Sequence, residues 1–275
     1  MVDRLQALLN HFSVSARTFQ LGPLCGINSL SGEEPYGQLH LIKAGSVEVW
    51  HRQTLAFDIQ EPSLLFYPRP MAHRFVTDSE RGAEFVCAHI AFEGGAAAPL
   101  ANALPSAVCI PLAELPDSLP VLNLLFAEAE ACNCGRQAVL NRLFEVVLIQ
   151  LVRHMMEEGS TQVGLLAGLS HPQLRRAIVA MHESPEKNWR VEDLAATAGM
   201  SRSVFSNTFH HTVGEPPASY LQRWRIGLVQ KWLRQGQPIR LIAEEAGYGS
   251  ESSLSRAFKA QSGMSPRAWL KAELT

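Results

Sequence analysis

The sequence predicts an α+β chain of more than one domain. Residues 1–158 read as a β-barrel followed by helices, residues 159–170 as a linker, and residues 171–275 as an all-α domain with two helix-turn-helix motifs. Three observations carry this. The first is a repeat near the C-terminus: Leu194-Ala195-x-x-Ala198-Gly199-Met200 returns as Ile242-Ala243-x-x-Ala246-Gly247-Tyr248, 48 residues later. At an offset of 49, Phe205 then answers to Leu254, Phe209 to Phe258, Gly214 to Gly263, Pro217 to Pro266, Tyr220 to Trp269 and Leu221 to Leu270. Core positions repeated at fixed spacing mean one supersecondary unit used twice. The second is a run of short, turn-punctuated apolar segments between about 17 and 110. The third is charge: residues 171–275 carry 14 Lys+Arg against 9 Asp+Glu, and residues 1–170 carry 10 against 17. A basic half beside an acidic half is expected when only one domain meets phosphate, although the whole chain is at −2.

In chain order, residues 3–12 form an amphipathic helix through Leu5, Leu8 and Leu9. Val47, Val49 and His51 alternate with Glu48 and Trp50, the two-residue period of a half-buried strand. Leu64–Tyr67 and Phe85–Phe92 are apolar runs bracketed by Pro and Gly, and several such strands suggest a sandwich or barrel. The proline-punctuated stretch from Gly94 to Pro120 reads as an exit loop. Helical patterns follow at about Val121–Ala131 and at Arg136–Glu157, the second with Leu140, Phe144, Val147, Leu151 and Met155 on one stripe. Gly159–Ser170, small and polar, reads as the linker. Leu174, Ile178 and Met181 begin the last domain.

There, Leu194, Ala195 and Ala198 share one helix face over about Val191–Ala198. Gly199 ends that helix where a positive φ is needed, Ser201 is placed to cap the next, and Phe205 and Phe209 hold the second helix to the first. A linking helix, about Pro217–Arg234, carries Leu221, Trp224, Leu228 and Trp232. Gly199-Met200-Ser201, Phe205-x-x-x-Phe209, Gly214-x-x-Pro217, then Ala246-Gly247-Tyr248-x-Ser250 through Phe258-Lys259 and Gly263-Met264-Ser265-Pro266, resemble the AraC/XylS family of bacterial transcription regulators. The resemblance covers about the last hundred residues. It implies a sequence-specific regulator of double-stranded DNA, an activator by family habit, working with RNA polymerase as a homodimer. Each motif would place one helix in the major groove.

With the two phenylalanines turned inward, Arg202, Ser203, Ser206, Asn207 and His210 face outward on the first such helix, and Ser252, Ser253, Ser255, Arg256 and Lys259 on the second. By match to the family motif, Ser203, Asn207, Ser252 and Arg256 are the base-contacting candidates. Arg256 suits guanine and Asn207 adenine; phosphate contact or simple exposure is the plainer alternative for any one of them.

Pro62-x5-Pro68-x-Pro70-x-x-His73 resembles the second cupin motif, with proline for glycine at 62 and 70. His40 resembles one histidine of the first motif, but Leu39, Ile42 and Lys43 surround it where a full metal set has another His and a Glu. A cupin-like barrel is expected, and a cupin-type metal enzyme fused to a DNA-binding module is the alternative function; the expectation is that the chain is not an enzyme. Cys25, with Phe85-Val86-Cys87, is similar to the cupin-bearing branch that includes reactive-chlorine-responsive regulators, which implies redox sensing through Cys25 and Cys87. A zinc-like metal at His40, His73 and His89, and a small organic effector, stay open beside it. No leader, no membrane-length apolar run and five unpatterned cysteines imply a cytoplasmic chain with free thiols and no membrane partner.

Overall fold

The computed structural model describes residues 3–95, 98–159 and 163–273. They cluster into two compact units that do not follow chain order: residues 13–97 and 104–158 make one, and the first twelve residues join 98–103 and 159–275 in the other.

The first unit holds strands β1 (Val14–Leu24), β2 (Ile27–Leu30), β3 (Gly37–Ala44), β4 (Val47–His51), β5 (Thr54–Ile59), β6 (Ser63–Tyr67), β7 (His73–Thr77), β8 (Ala83–Phe92) and β9 (Val108–Pro111). They pair antiparallel as one sheet β1-β8-β3-β6-β9 and another β2-β7-β4-β5. The expected barrel is thus a two-sheet, cupin-like sandwich, with no closed sheet among the described residues. One reason lies at Gly45. It has φ +89, and a Cβ there would sit 2.8 Å from Ala83. This tight glycine turn carries the chain from β3 in one sheet to β4 in the other, so these consecutive strands do not pair. Ile42, Val47, Val49, Leu65, Tyr67, Phe75, Phe85 and Cys87 fill the space between the sheets.

The segment expected to be a loop is not one. It contains β9, which pairs with β6, and a short helix, α2 (Pro99–Ala103). Pro111 is compatible with this, because at the end of an edge strand its missing N–H costs no ladder bond. Helices α3 (Leu119–Glu130) and α4 (Arg136–Glu157) follow, close to their expected bounds. Leu140, Phe144, Val147, Leu151, Val152 and Met155 of α4 are buried. The side chains of α4 also cover the open edge of β1: Asn141 Oδ1 accepts from the Thr18 amide at 2.9 Å and hydroxyl at 3.0 Å, and Gln137 donates to the Thr18 carbonyl at 3.1 Å. A sheet edge satisfied in this way cannot recruit another strand.

The second unit is helical: α1 (Gln6–His11), α2, α5 (Leu165–Ser170), α6 (Leu174–Glu183), α7 (Val191–Ala198), α8 (Arg202–Val213), α9 (Pro217–Arg234), α10 (Ile239–Glu245), α11 (Glu251–Ser262) and α12 (Pro266–Glu273). Residues 165–170, read as linker, form a helix because Leu165, Leu166 and Leu169 bury an apolar face; the linker's residues 160–162 lie outside the described residues. The N-terminal helix belongs here for the same reason. Leu5, Leu8 and Phe12 are buried, Phe12 packs edge-on against Trp224 at 5.1 Å, and Lys231 Nζ donates to the His11 carbonyl at 2.6 Å. Gly227 of α9 makes the room, since a Cβ there would lie 3.3 Å from the Phe12 ring.

The repeat survives as repeated geometry. Phe209 meets Tyr220 edge to face at 5.6 Å and 73°, and their counterparts Phe258 and Trp269 meet at 5.8 Å and 72°. Gly199 and Gly247 both follow the short helix with φ near +70, at +69 and +75. Ser250 caps α11, its Oγ accepting from the Ser253 amide at 3.1 Å. Ser201, the residue expected to cap α8, sits at the equivalent N-cap without a side-chain cap bond, so the capping expectation fails. Among the described residues no helix is long and apolar enough to cross a membrane.

Gly247 and Gly263 share a positive φ, but a Cβ at 247 would overlap the Glu186 backbone while 263 is open. Gly263→Ala should cost about 1–2 kcal/mol from its left-handed backbone alone, and Gly247→Ala at least about 3 kcal/mol with the overlap added. Urea unfolding of the two variants checks this; equal losses would mean that the Glu186 contact gives way freely.

Candidate nucleic-acid interface and sensor interior

The inward turn of Phe205 and Phe209, both fully buried, decides which residues α8 presents. Arg202, Ser203, Asn207 and His210 are exposed and Ser206 is half-buried. Arg202 is tied at 3.1 Å to Glu192 on α7, an exposed pair worth well under ~1 kcal/mol that phosphate can replace. On α11, Leu254 and Phe258 are buried, leaving Ser252, Arg256 and Lys259 exposed and Ser253 and Ser255 half-buried. Ser253 is spent on the cap: its amide donates to Ser250 Oγ and its hydroxyl to the Ser250 carbonyl at 2.8 Å.

The two helices present matching positions with different chemistry. Ser203, Asn207 and His210 correspond to Ser252, Arg256 and Lys259, so the second surface carries an arginine and a lysine where the first has an amide and an imidazole. Val204, 52% exposed, was missed by the sequence reading because a valine beside Phe205 looks like core. At helical spacing it flanks Asn207 on the side away from Ser203, on the outer face, where an apolar side chain suits a thymine methyl group.

Behind α8 lies a buried histidine. His182 is fully buried, its ring stacked on Trp224 at 3.7 Å and its Nε2 hydrogen-bonded to the Tyr220 hydroxyl at 2.6 Å. Burial, followed by the nearby His11 and Arg223 charges, lowers its pKa to about 3, so it is neutral at pH 7.

In the sandwich unit, facing partners across the ladders put Gln38, His40, Leu65, Tyr67, Cys87 and His89 on the inner face of one sheet. From the other sheet, His73 stacks on Tyr67 at 4.3 Å, lies 5.1 Å from the His40 ring, and donates from Nδ1 to the Met71 carbonyl at 2.9 Å. His51 Nε2 and the Tyr67 hydroxyl share a bond of 2.8 Å. Both nitrogens of His40, the Nε2 of His73, the Nδ1 of His89 and the Oε1 of Gln38 are buried without a hydrogen-bond partner. Burial holds His40 well below the ordinary imidazole range and brings His73 down to about 4.

The proposed metal trio does not converge. His40 and His73 come together, while His89 stacks on Phe19 at 4.1 Å and its Nε2 faces Glu34 at 3.1 Å. Cys87, opposite His40, is kept protonated by burial. Among the described residues no group of three or more His, Cys, Asp or Glu is arranged to hold a metal ion. Two neutral imidazoles fall short of the three or four donors a zinc-like ion takes, so these side chains do not fit a resident metal.

All five cysteines are free: Cys25, Cys132 and Cys134 are exposed, Cys109 is half-buried and Cys87 buried. Burial pushes the Cys109 thiol up to about 11 and raises that of Cys87 further. Cys25 lies five residues beyond Gln20, the ladder partner of Cys87, or about 16 Å along the strand at ~3.3 Å per residue. Cys25 and Cys87 are therefore too far apart for a direct bridge.

A β-sandwich with a polar interior, followed by two like helix pairs that each expose a twelve-residue helix, is the build of a two-part DNA-binding regulator. Residues 3–157 match a family model described as cupin, and residues 194–272 one described as a helix-turn-helix domain. The chain belongs to the AraC-type helix-turn-helix regulators that carry a cupin domain. It is 38% identical over 197 residues to the HTH-type transcriptional regulator AlkR of Acinetobacter baylyi, covering 70% of this chain and 64% of that protein. It is 43% identical over 135 residues to a putative AraC-like transcription regulator of Streptomyces antibioticus, covering 48% and 45%. With the RCS-specific HTH-type transcriptional activator RclR of Escherichia coli it shares 26% identity over 243 residues, covering 86% and 84%. The chain thus spans less than two thirds of the length of the first two relatives.

Because His182 is held neutral in the fold but protonates near 6.5 when unfolded, its contribution is complete above pH 6.5 and is lost as pH falls towards 3. The loss should reach up to about 5 kcal/mol. Urea midpoints between pH 7 and 4 should fall less steeply for His182→Gln than for the unaltered chain; parallel slopes would assign the acid sensitivity elsewhere.

Proposed function

We propose that the protein is a sequence-specific transcriptional regulator that grips double-stranded DNA through α8 and α11 and answers to a signal received in the sandwich unit. The observation that carries this is the repeated presentation: the same edge-on ring contact stands behind each exposed helix, and the same offsets face outward. On this reading α7–α8 and α10–α11 are both helix-turn-helix motifs. The helix α9, about 27 Å long at 1.5 Å per residue, spaces them for major grooves one turn apart, roughly 34 Å. Arg256 and Asn207 read bases, Ser203 and Ser252 allow close approach, Val204 supplies an apolar contact, and Arg202, His210 and Lys259 meet phosphate.

The working form is a cytoplasmic homodimer that activates transcription with RNA polymerase. Support for the dimer comes from exposed apolar residues on α3 and α4: Leu119, Leu124, Val139 and Val146. Val139 and Val146 lie two turns apart on one line of α4, as partner-facing residues do. Catalysis forms no part of this reading, which follows relatives named as transcriptional regulators.

Cysteine oxidation is a second reading of the signal, favoured by the exposure of Cys25. Its thiolate would take oxygen from hypochlorous acid, giving a sulfenic acid and chloride, while Cys87 stays shielded.

Arg256→Ala should weaken binding to a selected site by about 1–3 kcal/mol and leave random-sequence DNA nearly unaffected. Fluorescence anisotropy at fixed salt measures both; equal losses would move Arg256 to the backbone. For the oxidation reading, mass spectrometry after a brief hypochlorite pulse should find Cys25 modified before Cys87, and Cys25→Ser should abolish any change in DNA affinity. A change that persists in that variant rules the Cys25 route out.

A further inference from the structure

We propose that the cleft between β1, β8 and residues 34–36 is a binding site for a planar aromatic anion of one or two rings. The cleft measures about 540 Å³, within the range that holds a small organic ligand. Its walls are aromatic. Phe19 and Tyr36 are 40% and 41% exposed, an unfavourable state for two large rings unless something covers them. His89 stands with both: stacked on Phe19 at 4.1 Å and tilted to Tyr36 at 5.8 Å. A flat guest would extend a stack that is already begun.

The strand geometry explains why Phe19 is there. The register of β1 on β8 slips between Thr18 and Gln20, so the extra residue leaves the ladder and turns towards His89. Arg17, paired with His89 across the ladder, is exposed and makes no ion pair among the described residues. A guanidinium beside an aromatic wall selects a flat anion, for which its planar fork provides paired donors. Glu34, on His89 Nε2 at 3.1 Å, offers a hydroxyl group of the guest an acceptor.

The site also has a mechanical exit. Thr18 and Ala16, which line the cleft, are bonded through their amides to Asn141 and Glu145 of α4 at 2.9 and 3.3 Å. A guest that shifts β1 therefore pulls on the helix that carries Val139 and Val146. The biological meaning of the site rests on the regulator reading above. Binding itself is measured without DNA, so failure of one is distinguishable from failure of the other.

The probe is 6-hydroxy-2-naphthoate, whose carboxylate, two rings and hydroxyl group match Arg17, the aromatic walls and the Glu34 end. Its own fluorescence is titrated with the full chain. Saturable one-to-one binding is expected, weakened at least about tenfold by Arg17→Gln and by Phe19→Ala, with thermal melting of the free variants confirming that they fold. The uncharged carboxamide of the same ring system should bind at least about tenfold more weakly to the unaltered chain and lose nothing further in Arg17→Gln. Absence of saturable binding to the unaltered chain, or equal affinity in both folded variants, overturns the assignment. Equal affinity for acid and amide overturns the selection for an anion.

Discussion

Two edge-on ring contacts, Phe209 on Tyr220 and Phe258 on Trp269, are what the DNA-facing half depends on. A helix twelve residues long is marginal by itself, so the face that α8 or α11 shows to a groove is set by what anchors its back. In each copy the anchor is an aromatic residue eleven positions further along the chain, on the helix that follows. Once Phe209 is pinned, helical spacing alone puts Ser203, Val204 and Asn207 outward; once Phe258 is pinned, Ser252 and Arg256 follow. The surfaces differ while the scaffold repeats: Ser203, Asn207 and His210 on one helix stand where Ser252, Arg256 and Lys259 stand on the other.

The sandwich unit is built on a different constraint, the satisfaction of an edge. β1 borders its sheet and borrows its missing hydrogen bonds from Asn141, Glu145 and Gln137 of α4. That arrangement closes the edge to other strands and ties β1 to α4. Inside, the unit leaves several buried polar atoms of Gln38, His40, His73 and His89 without partners. Unmet polar atoms in an interior lower stability, and these four side chains lie together in the sandwich unit.

Much of this was legible in the residues. The bounds of α4, α7 and α9 follow from apolar spacing and glycine stops, and the inward Phe205 and Phe209 from their four-residue interval. Other features were not. Val204 looked like core because composition does not say which side of a helix is wet. The segment around Val108–Pro111 looked like a loop because its prolines hide an edge strand. The linker proved partly helical because Leu165, Leu166 and Leu169 have a distant surface to bury against. Of the histidines offered as a metal trio, His40 and His89 share a sheet face and His73 faces them from the other sheet, yet the bulge at Phe19 takes His89 into a different stack.

The sequence by itself determined the periodic features: the duplicated helix pairs, the turn glycines and the aromatic and leucine residues that face inward from α8 and α11. These depend on interactions within a few residues, whose geometry spacing encodes. Only the tertiary structure decided that α1 belongs with the helical unit, that the barrel is two sheets, and that Cys25 and Cys87 stand far apart. Those outcomes depend on which distant surfaces meet, and no local pattern records the partner.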